Sequence, residues 1–266
     1  MFIKFFRPEN KLLAKYIEGY YFLREENQES LFSYYTFPNN YQIVTIALNN
    51  KFTSDNESLQ SHYSIDEGLV SNITYHYTKP IKFDYFGMTN EITIYFKPLG
   101  LNHFIKELTL YFSNQKKFIN FLPFNDYEVR MTQILETSDI TEASHKLENY
   151  WVEKFFEMDF EILHQAIDEI DTTKITDIAS QNNISRQYLH KLFKNNLGKS
   201  PVEYKRIQRF RNSLLQDDSN LTQRGLDSLF YDQSHFIKEM DRMTNNKPKD
   251  FFKEAVFKTS NPWLII

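Results

Sequence analysis

Two stretches of this chain repeat each other 47 residues apart. The first runs Ser-Arg-Gln-Tyr-Leu-His-Lys-Leu-Phe over residues 185–193 and then reaches Pro201. The second runs Asp-Gln-Ser-His-Phe-Ile-Lys-Glu-Met over residues 232–240 and then reaches Pro248. Leu189 corresponds to Phe236, Lys191 to Lys238, Phe193 to Met240, Pro201 to Pro248 and Tyr204 to Phe251. Each stretch follows a short segment of helical periodicity. A short helix, a tight turn and a second helix with a polar face is the pattern of helix-turn-helix DNA readers. Two copies in tandem constrain the fold far more than one.

Capping and periodicity divide the repeat into elements. Phe160 to Ile170 reads as a helix with Leu163, Ile167 and Ile170 inward. Thr176 is expected to cap a helix through Asn182, and the small Ala179 lets the two motif helices approach. Asn183 tolerates a positive φ better than most residues. Ser185 caps the recognition helix, in which Leu189, Leu192 and Phe193 point to the core. That leaves Arg186, Gln187, His190, Lys191 and Lys194 outward. Pro201 suits the first turn of a helix running to about Leu215, roughly 20 Å long at 1.5 Å per residue. In the second copy Asp232 is the N-cap, and Gln233, Ser234, Ile237 and Lys238 face outward.

Residues from about Asp159 to Lys258 resemble the C-terminal domain of AraC-type transcription regulators. The fragments that carry the resemblance are Ile178-Ala179, Ile184-Ser185, Tyr188-Leu189, Leu192-Phe193, Gly198, Pro201 and the run Phe230-Tyr231-Asp232-Gln233-Ser234-His235-Phe236. The resemblance implies a sequence-specific regulator bound to double-stranded DNA. It places base readout at Gln187, His190 and Lys191 in the first motif. The corresponding second-motif candidates are Gln233, Ser234 and Lys238. Gln suits adenine edges and Lys suits guanine. Ser185, Arg186, Lys194, Lys205, Arg206 and Arg209 are the expected phosphate contacts, and His235 is expected to pack rather than read bases.

The second motif departs from the family pattern. Arg224-Gly225 stands where the family has Ile-Ala, Leu229 stands at the turn glycine, Met240 replaces Phe, and Asn245 replaces Gly. An unpaired buried Arg is costly, and Leu resists a positive φ. The first motif is therefore expected to dominate. Near the N-terminus, residues 16–22 (Tyr-Ile-Glu-Gly-Tyr-Tyr-Phe) and 96–101 (Phe-Lys-Pro-Leu-Gly-Leu) look like the sensory-type domains of some members. The resemblance implies a small-molecule effector, a homodimer, contact with RNA polymerase and a bacterial cytoplasmic setting.

The net charge of −4 conflicts with DNA binding until it is mapped. Between Ser185 and Arg211 eight Lys/Arg face one acid, Glu203, a net +7 in 27 residues. Residues 1–158 carry −5 and residues 217–257 carry −2. A basic stripe within an acidic chain is what a phosphate-contacting surface needs.

The fold class expected is α+β: a β-rich barrel or sandwich with accessory helices over 1–157, and an all-α double helix-turn-helix domain over 158–266. Residues 41–49, 71–77 and 91–96 read as strands, with turns or loops at Asn49-Asn50 and over residues 53–58. Leu12 to Tyr20 and Leu99 to Leu108 read as short helices, Pro98 as the end of the strands, and Asp126 to Leu135 as a further helix. Asp139 should cap a helix to about Phe156 whose Ala143, Leu147, Tyr150, Trp151 and Phe155 serve either its own core or a dimer.

Enzymatic readings find no support. Cysteine is absent, which removes disulfides and thiolate metal sites and fits a reducing cytosol. Seven histidines show no metal-binding spacing, though His62 and His76 are candidates to meet across strands. No phosphate-binding glycine loop or nucleophile motif occurs, so no catalytic residue, metal or cofactor is expected. The N-terminus has no signal-peptide run, and no stretch of about 18 apolar residues predicts a membrane span. The aromatic residues Tyr34, Tyr35, Phe37, Tyr75, Tyr77, Phe83, Tyr85 and Phe86 are candidates to line an effector cavity. The rival class is a sensor or interaction protein whose degenerate second motif no longer binds DNA.

Overall fold

The computed structural model describes residues 1–54, 58–112, 119–215 and 232–254. Their contacts form two compact units. The first comprises Met1–Tyr34, Tyr41–Tyr75 and Lys82–Met158; the second comprises Tyr35–Asn40, His76–Ile81 and the chain from Asp159.

Among the described residues ten strands make up the β-rich part: β1 (Phe2–Phe6), β2 (Ile17–Glu25), β3 (Leu31–Thr36), β4 (Gln42–Leu48), β5 (Asn50–Ser54), β6 (Ser58–Tyr63), β7 (Leu69–Thr74), β8 (Ile81–Phe86), β9 (Thr89–Phe96) and β10 (Ile119–Asn120). One sheet has the order β1-β2-β9-β4-β7-β10, the other β3-β8-β6-β5. The six-stranded sheet is antiparallel, whereas β6 and β8 run parallel. Side chains alternate across a strand, and β9 uses both faces. Ile92, Ile94 and Phe96 join Phe22, Val44, Ile46 and Ile73 in a hydrophobic core. Glu91, Thr93 and Tyr95 take the alternate positions, with Thr93 opposite Tyr21 and Thr45.

Helices α1 (Leu13–Tyr16), α2 (Thr109–Phe112), α3 (Tyr127–Leu135) and α4 (Ile140–Lys154) complete the first unit. Asp139 caps α4, its carboxylate accepting from the Glu142 amide at 2.7 Å. Ala143, Leu147, Tyr150 and Trp151 of α4 are buried in the same core as Ile92 and Ile94. That apolar face is therefore committed to its own unit.

Four expectations for this region change. Leu12–Tyr20 is not one helix: α1 ends at Tyr16, and Ile17 onward is β2. Pairing with β9 from Ile17 and with β1 from Tyr20 outweighs local helical propensity. Leu99–Leu108 is not a helix either. Leu99 sits at φ 65°, and Gly100 packs so tightly that an added Cβ would lie 2.2 Å from the Tyr16 carbonyl. Only a short 3₁₀ turn, Leu101–His103, forms there. Strands also resume after Pro98, as β10 on β7. Asn49 turns at φ 59° as expected, but Asn50, Thr53, Ser54 and Ser58 lie in strands; 55–57 lie outside the described residues.

The second unit carries α5 (Glu161–Glu169), α6 (Ile175–Gln181), α7 (Arg186–Leu197), α8 (Pro201–Leu215), α9 (Gln233–Thr244) and α10 (Pro248–Glu254). Leu163, Ala166 and Ile170 are the buried side of the α5 region, with Ile167 half-buried. Thr176 is not the cap of α6. Lys174 holds that position with no side-chain hydrogen bond, and the Thr176 hydroxyl reaches Asp177 instead. Arg224, Gly225, Leu229, Phe230 and Tyr231 lie outside the described residues. No helix among the described residues is long and apolar enough to cross a membrane.

Candidate nucleic-acid interface

The sequence repeat is a repeat of structure. Helices α7 and α9 are each 12 residues long. Ser185 caps α7 by accepting from the Tyr188 amide at 3.1 Å, and Asp232 caps α9 by accepting from the His235 amide at 2.7 Å. Each helix ends on a left-handed residue, Gly198 at φ 69° and Asn245 at φ 56°. Such a residue lets the chain leave the helix without strain at Gly and at modest cost at Asn. Proline then starts the next helix in both copies. Asn183 takes φ 53° in the turn between α6 and α7. Replacing Ser185 by alanine is expected to destabilise the second unit by about 1 kcal/mol, read as a lower urea midpoint with an unchanged slope.

Burial separates the faces of the readers. Leu189, Phe193 and Leu197 of α7 are buried, as are Phe236, Met240 and Met243 of α9. Leu192, expected inward, is half-buried. On α7, Arg186, Gln187, His190 and Lys191 are exposed together. Tyr188 is also exposed, at 49%, although it precedes the buried Leu189 in the chain. On α9, Gln233, Ser234 and Lys238 are exposed, and so is His235, contrary to its expected packing. Ile237 is at the edge of exposure at 37%.

The basic stripe is less uniform than its sequence suggests. Lys199 is only 1% exposed, and burial pushes its ammonium down to about 7. Lys194 is shared with Glu203 at 3.0 Å, and Lys205 donates to the Thr173 carbonyl at 2.9 Å. Desolvation lowers the pKa of Lys205. Arg206 is paired with Glu239 of α9 at 2.7 Å, and the Nε of Arg209 is buried. Of the expected phosphate positions, Ser185 and Arg186 lie exposed at the start of α7. Lys194, Lys205 and Arg206 already serve internal contacts.

Glu203 anchors the start of α8. Its carboxylate accepts from the Ser200 amide at 2.7 Å, while the Ser200 hydroxyl accepts from the Glu203 amide at 3.2 Å. This reciprocal pair is a capping box; Ser200-Pro201-Val202-Glu203 spells it, although the sequence reading took only Pro201 from it. The same carboxylate meets His76 Nε2 at 3.2 Å. The His76 contact first, with Ser200 and Lys194, holds Glu203 well below the usual carboxylate range.

A second polar site lies within the first unit. Glu91 is fully buried, and accepts from Tyr85 Oη at 2.8 Å, Thr93 Oγ1 at 3.0 Å and Tyr21 Oη at 3.4 Å. Tyr34 Oη lies 3.2 Å from that of Tyr21 and 3.3 Å from that of Tyr85. Burial outweighs these hydrogen bonds and pushes the Glu91 carboxyl up to about 7. The eight aromatic candidates do not converge on one cavity. Tyr34, Phe83 and Tyr85 stack together, Tyr75 packs on Phe112, and Phe86 stacks on His62 at 4.5 Å. Tyr35, Phe37 and Tyr77 belong to the second unit. His62 and His76 likewise fall in different units. No cluster of three metal-ligating side chains occurs among the described residues.

The helix-turn-helix domain family matches residues 178–254. No curated protein sequence matches the chain. Among solved structures, ToxT from Vibrio cholerae is 12% identical, over 87% of this chain and 98% of that chain, with a TM-score of 0.46. A form of ToxT from Vibrio cholerae bound to an unsaturated fatty acid is 14% identical over 86% and 94%, with a TM-score of 0.43. The AraC-like transcriptional activator CuxR is 12% identical over 78% and 85%, with a TM-score of 0.24. These are distant likenesses. The matched domain spans both readers and the helix that joins them, from Ile178 in α6 to Glu254 in α10. Residues 178–254 of this chain are a helix-turn-helix domain.

Proposed function

We propose that this chain is a DNA-binding transcription regulator in which α7 supplies most of the DNA affinity and specificity, with α9 in an auxiliary role. The observation that carries this reading is the outward face of α7. Arg186, Gln187, His190 and Lys191 are exposed there, beyond a core row of Leu189 and Phe193. In this reading Gln187, His190 and Lys191 meet base edges, and Ser185 and Arg186 hold phosphates. Lys194, Lys205 and Arg206 act at the backbone only by giving up or sharing internal partners, and Arg209 joins them as a further phosphate contact. Gln233, Ser234 and Lys238 make the auxiliary contacts.

Residues 1–157 form a sensor domain for a small-molecule effector, joined to a DNA-binding domain over 158–266. A homodimer, contact with RNA polymerase, a cytoplasmic location and the absence of any enzymatic step complete the proposal. The buried Glu91 among tyrosine hydroxyls is the polar feature of the first unit that favours sensing over a purely structural role.

Salt dependence tests the DNA reading. On a random-sequence 30-base-pair duplex, affinity should fall about a hundredfold between 50 and 200 mM salt if roughly four phosphates are neutralised. A flat dependence would sink the reading and favour an interaction protein.

A further inference from the structure

The second unit is assembled from three separate pieces of chain, and two are very short: Tyr35–Asn40 and His76–Ile81. Both short pieces touch the helices that carry the readers. Phe37, only 7% exposed, is buried with Ile207, Phe210 and Leu214 of α8 and Phe236, Met240 and Met243 of α9. Its ring meets Phe251 of α10 edge-on, with centroids 5.0 Å apart. Phe37 is thus part of the second reader's core. Asn40 Nδ2 donates to the Tyr204 carbonyl at 3.2 Å and to Gln208 Oε1 at 3.1 Å, midway along α8. His76 meets Glu203 in the first turn of α8, on the carboxylate that also holds Lys194 of α7.

The two pieces are also fastened to each other. Tyr77 Oη donates to the Phe37 carbonyl at 2.8 Å, accepts from Asn39 Nδ2 at 2.8 Å, and lies 2.9 Å from Thr36 Oγ1. Tyr77 is buried, so losing this hydroxyl would strand polar atoms away from water. One tied assembly therefore grips the first-reader end of α8 through His76 and the second-reader core through Phe37.

We propose that residues 35–40 and 76–81 form a brace that sets the placement of α9 relative to α7, with Phe37 and His76 as its positioning residues. Two readers on one domain must enter successive major grooves about 34 Å apart along the duplex. Their relative placement therefore decides which half-site separation is bound best. The contacts of the brace reach α8, Glu203 and the core side of α9. The brace acts on spacing and leaves base choice at each half-site alone. This inference rests on the reading that both readers engage DNA.

The test uses the full chain and the duplex most enriched by it from a random-sequence DNA pool. Three sets of probes are compared: that duplex, versions with one or two base pairs added or removed between its halves, and a version with only the first half intact. Phe37→Ala should bind the half-intact duplex within about twofold of the parent, as expected for independent sites. It should lose about tenfold or more on the whole duplex and show a flattened spacing preference. Phe37→Leu, which refills the core, should restore the preference. His76→Ala removes no core side chain and should flatten the preference even if Phe37→Ala fails to fold. A spacing preference in the parent that survives in His76→Ala and in folded Phe37→Ala overturns the brace. Equal losses on half and whole duplexes overturn it too, since they report destabilisation alone. A parent with no spacing preference removes two-reader binding itself, and the brace falls with it.

Discussion

Replacing Gln187, His190 and Lys191 together by alanine abolishes measurable sequence-specific binding, while replacing Gln233, Ser234 and Lys238 together costs less than about 2 kcal/mol. A good base contact contributes about 1–3 kcal/mol of discrimination, so losing two or three removes about thirtyfold or more. All three first-motif side chains are exposed on α7, opposite buried Leu189 and Phe193, so the substitutions leave the core intact. The α9 set is equally exposed but lies among acids: Asp232 caps the helix, and Glu239 is occupied by Arg206. A face near neutrality gains little from counterion release. Titration of selected duplexes, with circular dichroism to confirm folding, checks both variants. Equal losses would show that the readers share the work.

Glu91→Gln should change the pH response of the first unit by about 3 kcal/mol, the equivalent of a carboxyl moved from 4.5 to about 7. Burial is the main cause, because the charged form loses water that the three hydroxyl donors do not fully replace. The folded state holds its proton more tightly than the unfolded state. The stability this contributes is complete below about pH 4.5 and is lost as pH rises through about 7. Lys199 in the second unit runs the other way. Its pKa falls from 10.5 to about 7 on burial, so its contribution is present above 10.5 and lost as pH falls through 7. Unfolding of the whole chain mixes the two, and the comparison of parent with Glu91→Gln isolates the first. Thermal unfolding at pH 5 and pH 8 should show the variant gaining on the parent at pH 8. An equal difference at both pH values would show that Glu91 does not titrate in this range.

Much of the second unit was legible because its signals are local. A cap, a left-handed turn residue and a proline each act within a few positions, so Ser185, Asp232, Asn183 and Pro201 could be placed before any tertiary contact was known. The errors came where distant chain decides. Ile17 to Tyr20 reads as helix until β9 supplies partners for Ile17, Gly19 and Tyr20, with β1 joining at Tyr20. Leu99 to Leu108 reads as helix until Gly100 meets the Tyr16 carbonyl. Lys199 counts toward a basic stripe until its burial is seen. Glu91 gave no warning, since one acid in a strand is ordinary; Thr93 is its neighbour two positions on, but Tyr21 comes from the paired strand β2 and Tyr85 from β8 of the other sheet.

The scattered make-up of the second unit bears on its exchange between proteins. A cut before Asp159 follows the obvious sequence boundary, yet it leaves behind the Phe37 ring that fills space between α8, α9 and α10. The excised piece would carry a hole the size of a phenylalanine in the core of one reader and, beside the other, a Glu203 that keeps Ser200 and Lys194 but loses His76. The heritable module is therefore not a contiguous gene segment. Residues 35–40 and 76–81 must travel with the reader helices, or be matched by the new host, and recombination by simple end-joining is disfavoured for this chain.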